Sequence, residues 1–325
     1  MSLVGLDRIQ DAARHLADRI RATPLRSSEP IRRLLRERGG PDLRDVWLKA
    51  ECLQETGSFK VRGVLNRARQ LDAGARRRGL ITISAGNHAA ALAWAAAAEG
   101  VPCTVVMPEA APPSKVALSR SYGAEVVLHG DVGAAFDECF RLRDERGLTF
   151  IHPFDDPAII AGHGTVGLEI LDSAPDPDVV VVPVGGGGLI SGIAAAVKAR
   201  SPRTRVYGVE PRGAPGLRRA LDAGEVVRLE AVDTIAGGLA PPFCGELALE
   251  HARALVDDVV LVSDAEILDA LRAVVERARL VVEPSGAAGV AALLARRLPV
   301  HPDETVVVVL SGGSVGAAEL AAYLS

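Results

Sequence analysis

A chain of 325 residues, 48% hydrophobic and 24% charged, is long enough for one large or two modest domains with real cores. Its 37 basic and 41 acidic side chains leave a net charge of −4, which gives no electrostatic reason to expect nucleic acid or an anionic membrane as a partner. No apolar run approaches the roughly 20 residues of a membrane span, no basic-then-apolar leader opens the chain, and Cys52, Cys103, Cys139 and Cys244 form no CxxC pair, so they read as reduced, buried thiols of a cytoplasmic protein.

Short β-branched runs alternate with helical stretches. In chain order the pattern predicts a strand over Val46–Lys49, a helix over Val61–Gln70, a strand over Leu80–Ser84 and a helix over Asn87–Glu99. Strands over Cys103–Met107 and Glu125–Leu128 follow, then a helix over Gly133–Glu145. Next come a strand over Val179–Val184, a helix over Leu189–Arg200, strands over Arg205–Val209 and Val259–Val262, a helix over Ala265–Ala278 and a strand over Thr305–Leu310. The basic run Arg76–Arg78 reads as a solvated helix end. This alternation predicts an α/β protein with parallel sheets covered on both faces. In such sheets ligands sit beyond the carboxyl ends of the strands. Four segments lie there: Ser84–His88, Gly185–Gly188, Glu210-Pro211 and Ser311–Ser314.

Gly185, Gly186, Gly187 and Gly188 follow an apolar strand and open a helix, so their N–H groups and the helix start favour a phosphate. A Walker A loop would continue with Lys-Ser/Thr, where Leu189-Ile190 stand instead. The dinucleotide pattern GxGxxG fails by one residue, because Ser191 stands where Gly is required; a nicotinamide enzyme remains a competing reading. Gly312–Gly316 has the GxSxG form of a hydrolase elbow, yet no His follows Ser314, so a serine hydrolase is not expected. The seven His are scattered without HExxH, which argues against catalytic zinc. Ser84 to His88 leave a strand and enter a helix, so backbone N–H groups and the Ser84 and Asn87 side chains converge on one spot. An ordinary helix cap fits that segment equally well.

The segment Glu51-Cys-Leu-Gln-Glu-Thr-Gly-Ser-Phe-Lys60-Val-Arg-Gly63 resembles the lysine motif of the fold-type-II pyridoxal 5′-phosphate (PLP) enzymes, specifically the serine/threonine dehydratase and serine racemase family. Ser84–His88, Met107–Pro112, His152–Pro157, Ile160–Thr165, Leu168–Ile170, the tetraglycine loop, Gly208–Pro211, Glu283-Pro284 and Ser311–Gly313 follow in the order of that family. The match runs from Asp7 to the end of the chain.

The resemblance implies a two-domain fold like that of tryptophan synthase β, with parallel-rich twisted sheets covered by helices. Residues 1–79 plus 151–325 are expected to form a large PLP-binding domain, and 80–150 a small domain that closes over substrate. It implies that Lys60 holds PLP as a Schiff base, for which burial must lower its pKa. It places Phe59 against the pyridine ring and Asn87 beside the ring hydroxyl. It puts Gly185, Gly186, Gly187, Gly188 and Leu189 around the phosphate, and Glu283 and Ser311 beside the ring. Ser84, Ala85, Gly86, Asn87 and His88 are then the substrate-carboxylate loop. A Ser at 311 cannot hold the pyridine nitrogen as a cation, which favours β-elimination over transamination.

The implied reaction is dehydration and deamination of L-threonine or L-serine to 2-oxobutanoate or pyruvate, with Lys60 as general base. A serine racemase carries a second Ser where Ala85 stands, so a dehydratase is favoured over a racemase. The family's divalent-cation site maps to Glu210 and Ala214, but Gly216 replaces the expected Asp, which weakens the case for a metal. Gly237, Ala90, Ala91 and the segment Leu239–Gly245 also depart from the pattern and leave room for another β-hydroxy amino acid, a phenylserine or a hydroxyaspartate. A homodimer or homotetramer is expected, and no feedback by isoleucine, since no regulatory domain follows the catalytic region.

Overall fold

The computed structural model describes residues 3–174 and 176–325. Ten strands form two sheets: β1 (Leu25–Ser27), β2 (Asp45–Lys49), β3 (Leu80–Ile83), β4 (Cys103–Met107), β5 (Glu125–Leu128), β6 (Thr149–Phe150), β7 (Val179–Pro183), β8 (Arg205–Pro211), β9 (Asp258–Val262) and β10 (Thr305–Val309). The larger sheet has the order β1-β2-β10-β7-β8-β9, and the smaller β5-β4-β3-β6. Every pairing is parallel except β1 with β2.

The apolar runs of β7 and β10 are explained by their place in mid-sheet. Val307 lies opposite Trp47 of β2 and Val180 of β7. Side chains alternate between faces. Val179, Val181, Val306 and Val308 enter one core, with Ile31, Ile267, Leu271 and the helix Pro284–Leu294. Val180, Val182, Val307 and Val309 enter the other, with Val166, Ile193 and Leu217. A central parallel strand is buried on both faces and has no polar side to alternate with.

The smaller sheet repeats this scheme. Leu80, Val105 and Met107 pack against the helix Asn87–Glu99 on one face, and Ile81 and Val106 against Cys139 and Leu142 on the other. The first of these cores also takes in Val61, Val64, Leu65 and Ala68 from the helix Lys60–Ala68, along with Leu71 and Ala75.

Two short strands and several helices lie outside the elements named from the sequence, the helices including Leu6–Leu16, Glu29–Glu37, Pro113–Ser121, Glu246–Leu255, Pro284–Leu294 and the long Pro157–Ser173. β1 and β6 are three and two residues long and carry little apolar signal. The helix Pro157–Ser173 contains Gly162, Gly164 and Gly167, which are poor helix formers. They are there for close approach: a Cβ at Gly162 would stand 2.4 Å from the Arg62 carbonyl oxygen. No described helix is long and apolar enough to cross a membrane.

Candidate active site

The segment before Lys60 is strapped to the end of β10. Cys52 N–H donates to the Leu310 carbonyl at 3.0 Å, Phe59 N–H to that of Ser311 at 3.2 Å, and Gly313 N–H to that of Gly57 at 2.9 Å. The chain therefore reaches Lys60 at the carboxyl end of the large sheet. Lys60 Nζ donates to the Pro153 carbonyl at 2.8 Å and lies 5.1 Å from the Phe59 ring centre. Burial pushes its pKa down to about 8, because a low-dielectric site disfavours the charged amine.

Two residues along the same helix, Arg62 is fully buried and saturated. It donates to both Glu51 oxygens at 2.8 Å, to Glu169 at 2.6 and 2.9 Å and to Thr165 Oγ1 at 3.0 Å. Lys49 Nζ also donates to Glu169. Two cations and two carboxylates thus tie β2, the Lys60–Ala68 helix and the Pro157–Ser173 helix together beneath Lys60. Arg62 lies inside the quoted lysine motif, but its partner Glu169 is 107 residues away and carries no local sign of pairing.

Ser84, Ala85 and Gly86 turn out of β3 and Asn87 opens the next helix. Ser84 Oγ accepts the Gly86 N–H at 3.1 Å. Ala85 packs its methyl at the edge of the small-sheet core. Asn87 Nδ2 donates to Glu283 Oε1 at 2.5 Å, and a Cβ at Gly312, next to Ser311, would stand 2.4 Å from that same oxygen. Burial raises the Glu283 pKa to about 7. His88 is buried with Nε2 at 3.1 Å from the Ile151 carbonyl. Burial, aided by the Lys60 charge, lowers its pKa to about 3, so it is neutral. Ser311 is buried, with Oγ 3.5 Å from the Ser285 carbonyl.

The glycine loop meets this cluster through Phe154, the neighbour of the Lys60 acceptor Pro153. A side chain at Gly186 would begin 2.2 Å from the Phe154 ring, so only glycine fits. Gly187 has φ of +88°, a left-handed conformation that also calls for glycine. Gly188 starts the helix Gly188–Arg200, whose first-turn N–H groups have no intrahelical acceptor, and Leu189 turns into the core. Gly185 packs against Gly238 and Leu239, and Gly245 N–H donates to Gly186 at 3.0 Å, so the atypical Leu239–Gly245 segment wraps the loop.

The structure thus brings together Lys60, Phe59, Asn87, Glu283, Ser311 and, through Pro153-Phe154, the glycine loop. Buried polar atoms without partners occur on the same segments: Ser58 Oγ, Asn87 Oδ1, His88 Nδ1 and a ring nitrogen of His163. Native folds rarely leave such atoms unmet. The cradle of glycines and unmet polar groups fits a phosphorylated, polar, ring-shaped ligand. His163, Pro153 and Phe154 were not assigned roles by sequence reasoning; their motifs were visible, but burial and orientation were not.

Glu210 and Ala214 lie apart from this cluster, at the end of β8. Glu210 is buried, and its two oxygens accept the N–H groups of Leu217 and Arg218 at 2.8 and 2.9 Å. Its carboxyl group caps the helix Gly216–Ala223, and burial pushes its pKa up to about 8 against the lowering effect of those two N–H groups. With Gly216 supplying no oxygen ligand, these residues do not fit a hard cation that seeks six or more oxygens. Among the described residues no cluster of three His, Cys, Asp or Glu has metal-binding geometry.

The sequence matches the family described as "Pyridoxal-phosphate dependent enzyme" over residues 16–312. The chain belongs to this family. The nicotinamide reading is thereby removed, and PLP is the cofactor of the fold. The chain is 41% identical over 314 residues to an L-threonine ammonia-lyase of Thermotoga maritima, covering 96% of this chain and 76% of that one. It is 45% identical over 311 residues to an L-threonine ammonia-lyase of Geobacter sulfurreducens, covering 94% and 75%. Among solved structures, a maize serine racemase superposes with a TM-score of 0.92 at 36% identity, over 99% of this chain and 97% of that one. A threonine deaminase from Solanum lycopersicum, the processed form of isoform 2, gives 0.88 at 33%, over 99% and 94%. The fold-type-II architecture expected from the motifs is the one observed.

Proposed function

We propose that this PLP enzyme is an ammonia-lyase that converts L-threonine, L-serine or both into 2-oxobutanoate or pyruvate plus ammonia. The observation that carries the reading is Lys60: a buried amine at the carboxyl end of the sheet, oriented by the Pro153 carbonyl and lowered to a pKa of about 8. The high identity to two L-threonine ammonia-lyases supports the substrate class.

PLP, when bound through Lys60, would acidify the α-hydrogen of an amino acid and take up its electrons. The chain's own groups do the rest. Gly185–Leu189 would hold the phosphate by backbone N–H groups at a helix start. Phe59 would cover one ring face, Asn87, fixed by Glu283, would face the ring hydroxyl, and Ser311 would meet the ring nitrogen as a neutral partner. Ser84, Ala85, Gly86, Asn87 and His88 would fix the substrate carboxylate. Lys60, freed by the incoming amine, would take the α-proton as its neutral base. Loss of the β-hydroxyl as water follows, and hydrolysis of the released product yields the 2-oxo acid and ammonia.

Ala85 has no proton to give or take, which favours elimination over a serine racemase reaction. The Leu239–Gly245 wrap supports a second reading, a dehydratase for a bulkier β-hydroxy amino acid such as phenylserine or hydroxyaspartate. We also infer a large domain of 1–79 plus 151–325, a small domain of 80–150 that closes over substrate and a homodimer or homotetramer, which rest on the family resemblance, and a cytoplasmic location, which rests on the four scattered cysteines read as reduced thiols. Sedimentation analysis checks the assembly.

The deciding test is 2-oxo acid release by the purified holoenzyme from L-threonine, L-serine and phenylserine, with chiral analysis of remaining substrate. Release from threonine or serine, abolished in Lys60→Ala, is expected. A yellow protein that releases nothing from either, or that only interconverts enantiomers, would overturn the assignment.

A further inference from the structure

His163 is the buried group that the reaction scheme leaves unused. It stands between Gly162 and Gly164 on a helix pinched by its neighbours: a Cβ at Gly162 would be 2.4 Å from the Arg62 carbonyl oxygen, and one at Gly164 2.9 Å from that of Gly192. The imidazole is wholly buried. It meets the Phe59 ring edge-on, centroids 4.7 Å apart at 71°. Its Nε2 sits 2.6 Å from where a Gly63 side chain would begin. Within the protein the ring's one polar neighbour in hydrogen-bonding reach is the Gly188 backbone, and at least one ring nitrogen has no partner.

Burial, with Lys60, His88 and Arg62 facing it, holds the ring neutral. It therefore carries one N–H to donate and one nitrogen to accept, of which the Gly188 backbone engages at most one. An apolar side chain of similar size would avoid that penalty. The ring also reaches the glycine loop, where the Gly188 backbone hydrogen-bonds it and opposes the lowering of its pKa by burial. Phe59, Lys60 and Gly188 thus surround one imidazole that keeps a polar atom without a partner within the protein.

We propose that His163 is a cofactor-positioning residue, its neutral imidazole hydrogen-bonding the polar periphery of the group seated between Phe59 and the glycine loop. This rests on the assignment of Phe59 and Lys60 to the cofactor. The residue then carries a cost to the empty protein that cofactor binding relieves.

The test compares His163→Leu and His163→Gln by thermal unfolding of the apo-protein and by PLP titration followed by absorbance. His163→Leu is expected to unfold at the same or a higher temperature than wild type. It should bind PLP roughly tenfold more weakly, with a displaced absorbance maximum. His163→Gln, which restores a donor and an acceptor, should bind within about threefold of wild type. PLP binding by His163→Leu with wild-type affinity and spectrum would sink the idea. So would equal weakening in both variants, which marks a role of shape alone. Borohydride reduction of the wild-type holoenzyme followed by peptide mapping tests the underlying assignment separately: label on a lysine other than Lys60 overturns that assignment, whatever the His163 variants do.

Discussion

At the scale of single residues, burial decides the chemistry of Lys60. An exposed lysine keeps its ordinary pKa of 10.5; this one falls to about 8. Between those values the unfolded chain retains a proton that the folded chain has released, so this group's contribution to stability rises with pH across that window. Its penalty stands in full below pH 8. Lys60→Met should therefore raise the unfolding temperature of the apo-protein at pH 7, and the gain should shrink as the pH climbs from about 8 towards 10.5. A gain that is absent at pH 7, or one that does not fall with pH, would contradict this cause. The lysine motif was legible because its neighbours in sequence are also its neighbours in space. The pairing of Arg62 with Glu169 was not, because only the fold brings residues 107 apart into one ion network.

At the scale of elements, the sequence reading succeeded where pattern and burial agree. Asn87–Glu99 was legible to the residue, and β7 and β10 stood out as apolar runs. The Pro157–Ser173 helix was missed as a helix, although Asp156 caps it and Pro157 opens it. Its glycines lower its propensity locally while permitting backbone contact with two other helices. Gly162→Ala tests this trade. Its methyl group would gain helix propensity of up to about 1 kcal/mol, yet collide with the Arg62 carbonyl at 2.4 Å. We expect net destabilisation of roughly 1–3 kcal/mol in a denaturant titration, as for other overpacked sites. Stabilisation would show that the contact relaxes freely. Weakened PLP binding should accompany the loss, since the same crossing carries Lys60 and His163.

At the scale of the whole molecule, two side-chain contacts join the 80–150 segment to the end of the large sheet. One is Asn87 to Glu283. The other is Lys115, from the helix Pro113–Ser121, whose Nζ donates to the Ser314 carbonyl and, at 2.9 Å, to Ser314 Oγ. The second contact lies three residues beyond Ser311 and needs no bound ligand. If the small sheet closes over substrate, Lys115 favours the closed arrangement. Lys115→Met should raise KM for substrate while leaving kcat within about twofold, and the loss of about 1 kcal/mol corresponds to roughly fivefold in KM. An unchanged KM, or a fall in kcat alone, would assign this contact no part in closure. Ser314 stood in a segment the sequence singled out, but nothing near Lys115 paired the two, so this contact was invisible in the sequence.

The sequence by itself determined the class of fold and the cofactor family and singled out Lys60 as the candidate lysine, because each is written in short contiguous patterns: a strand, a glycine turn, a helix start, a lysine with its flanking residues. Departures such as Gly216 and Ala85 were equally legible, since the absence of a carboxylate or a hydroxyl is a property of one position. Tertiary structure alone decided what surrounds those residues. Glu210 became a helix cap through its own neighbours on the chain, but only once Leu217 and Arg218 were wound into a helix facing it. His163 became a buried, neutral ring between Phe59 and the glycine loop only when three glycine-bearing helices closed on one another. Desolvation and packing depend on every chain segment that covers a group, and those segments come from distant parts of the sequence.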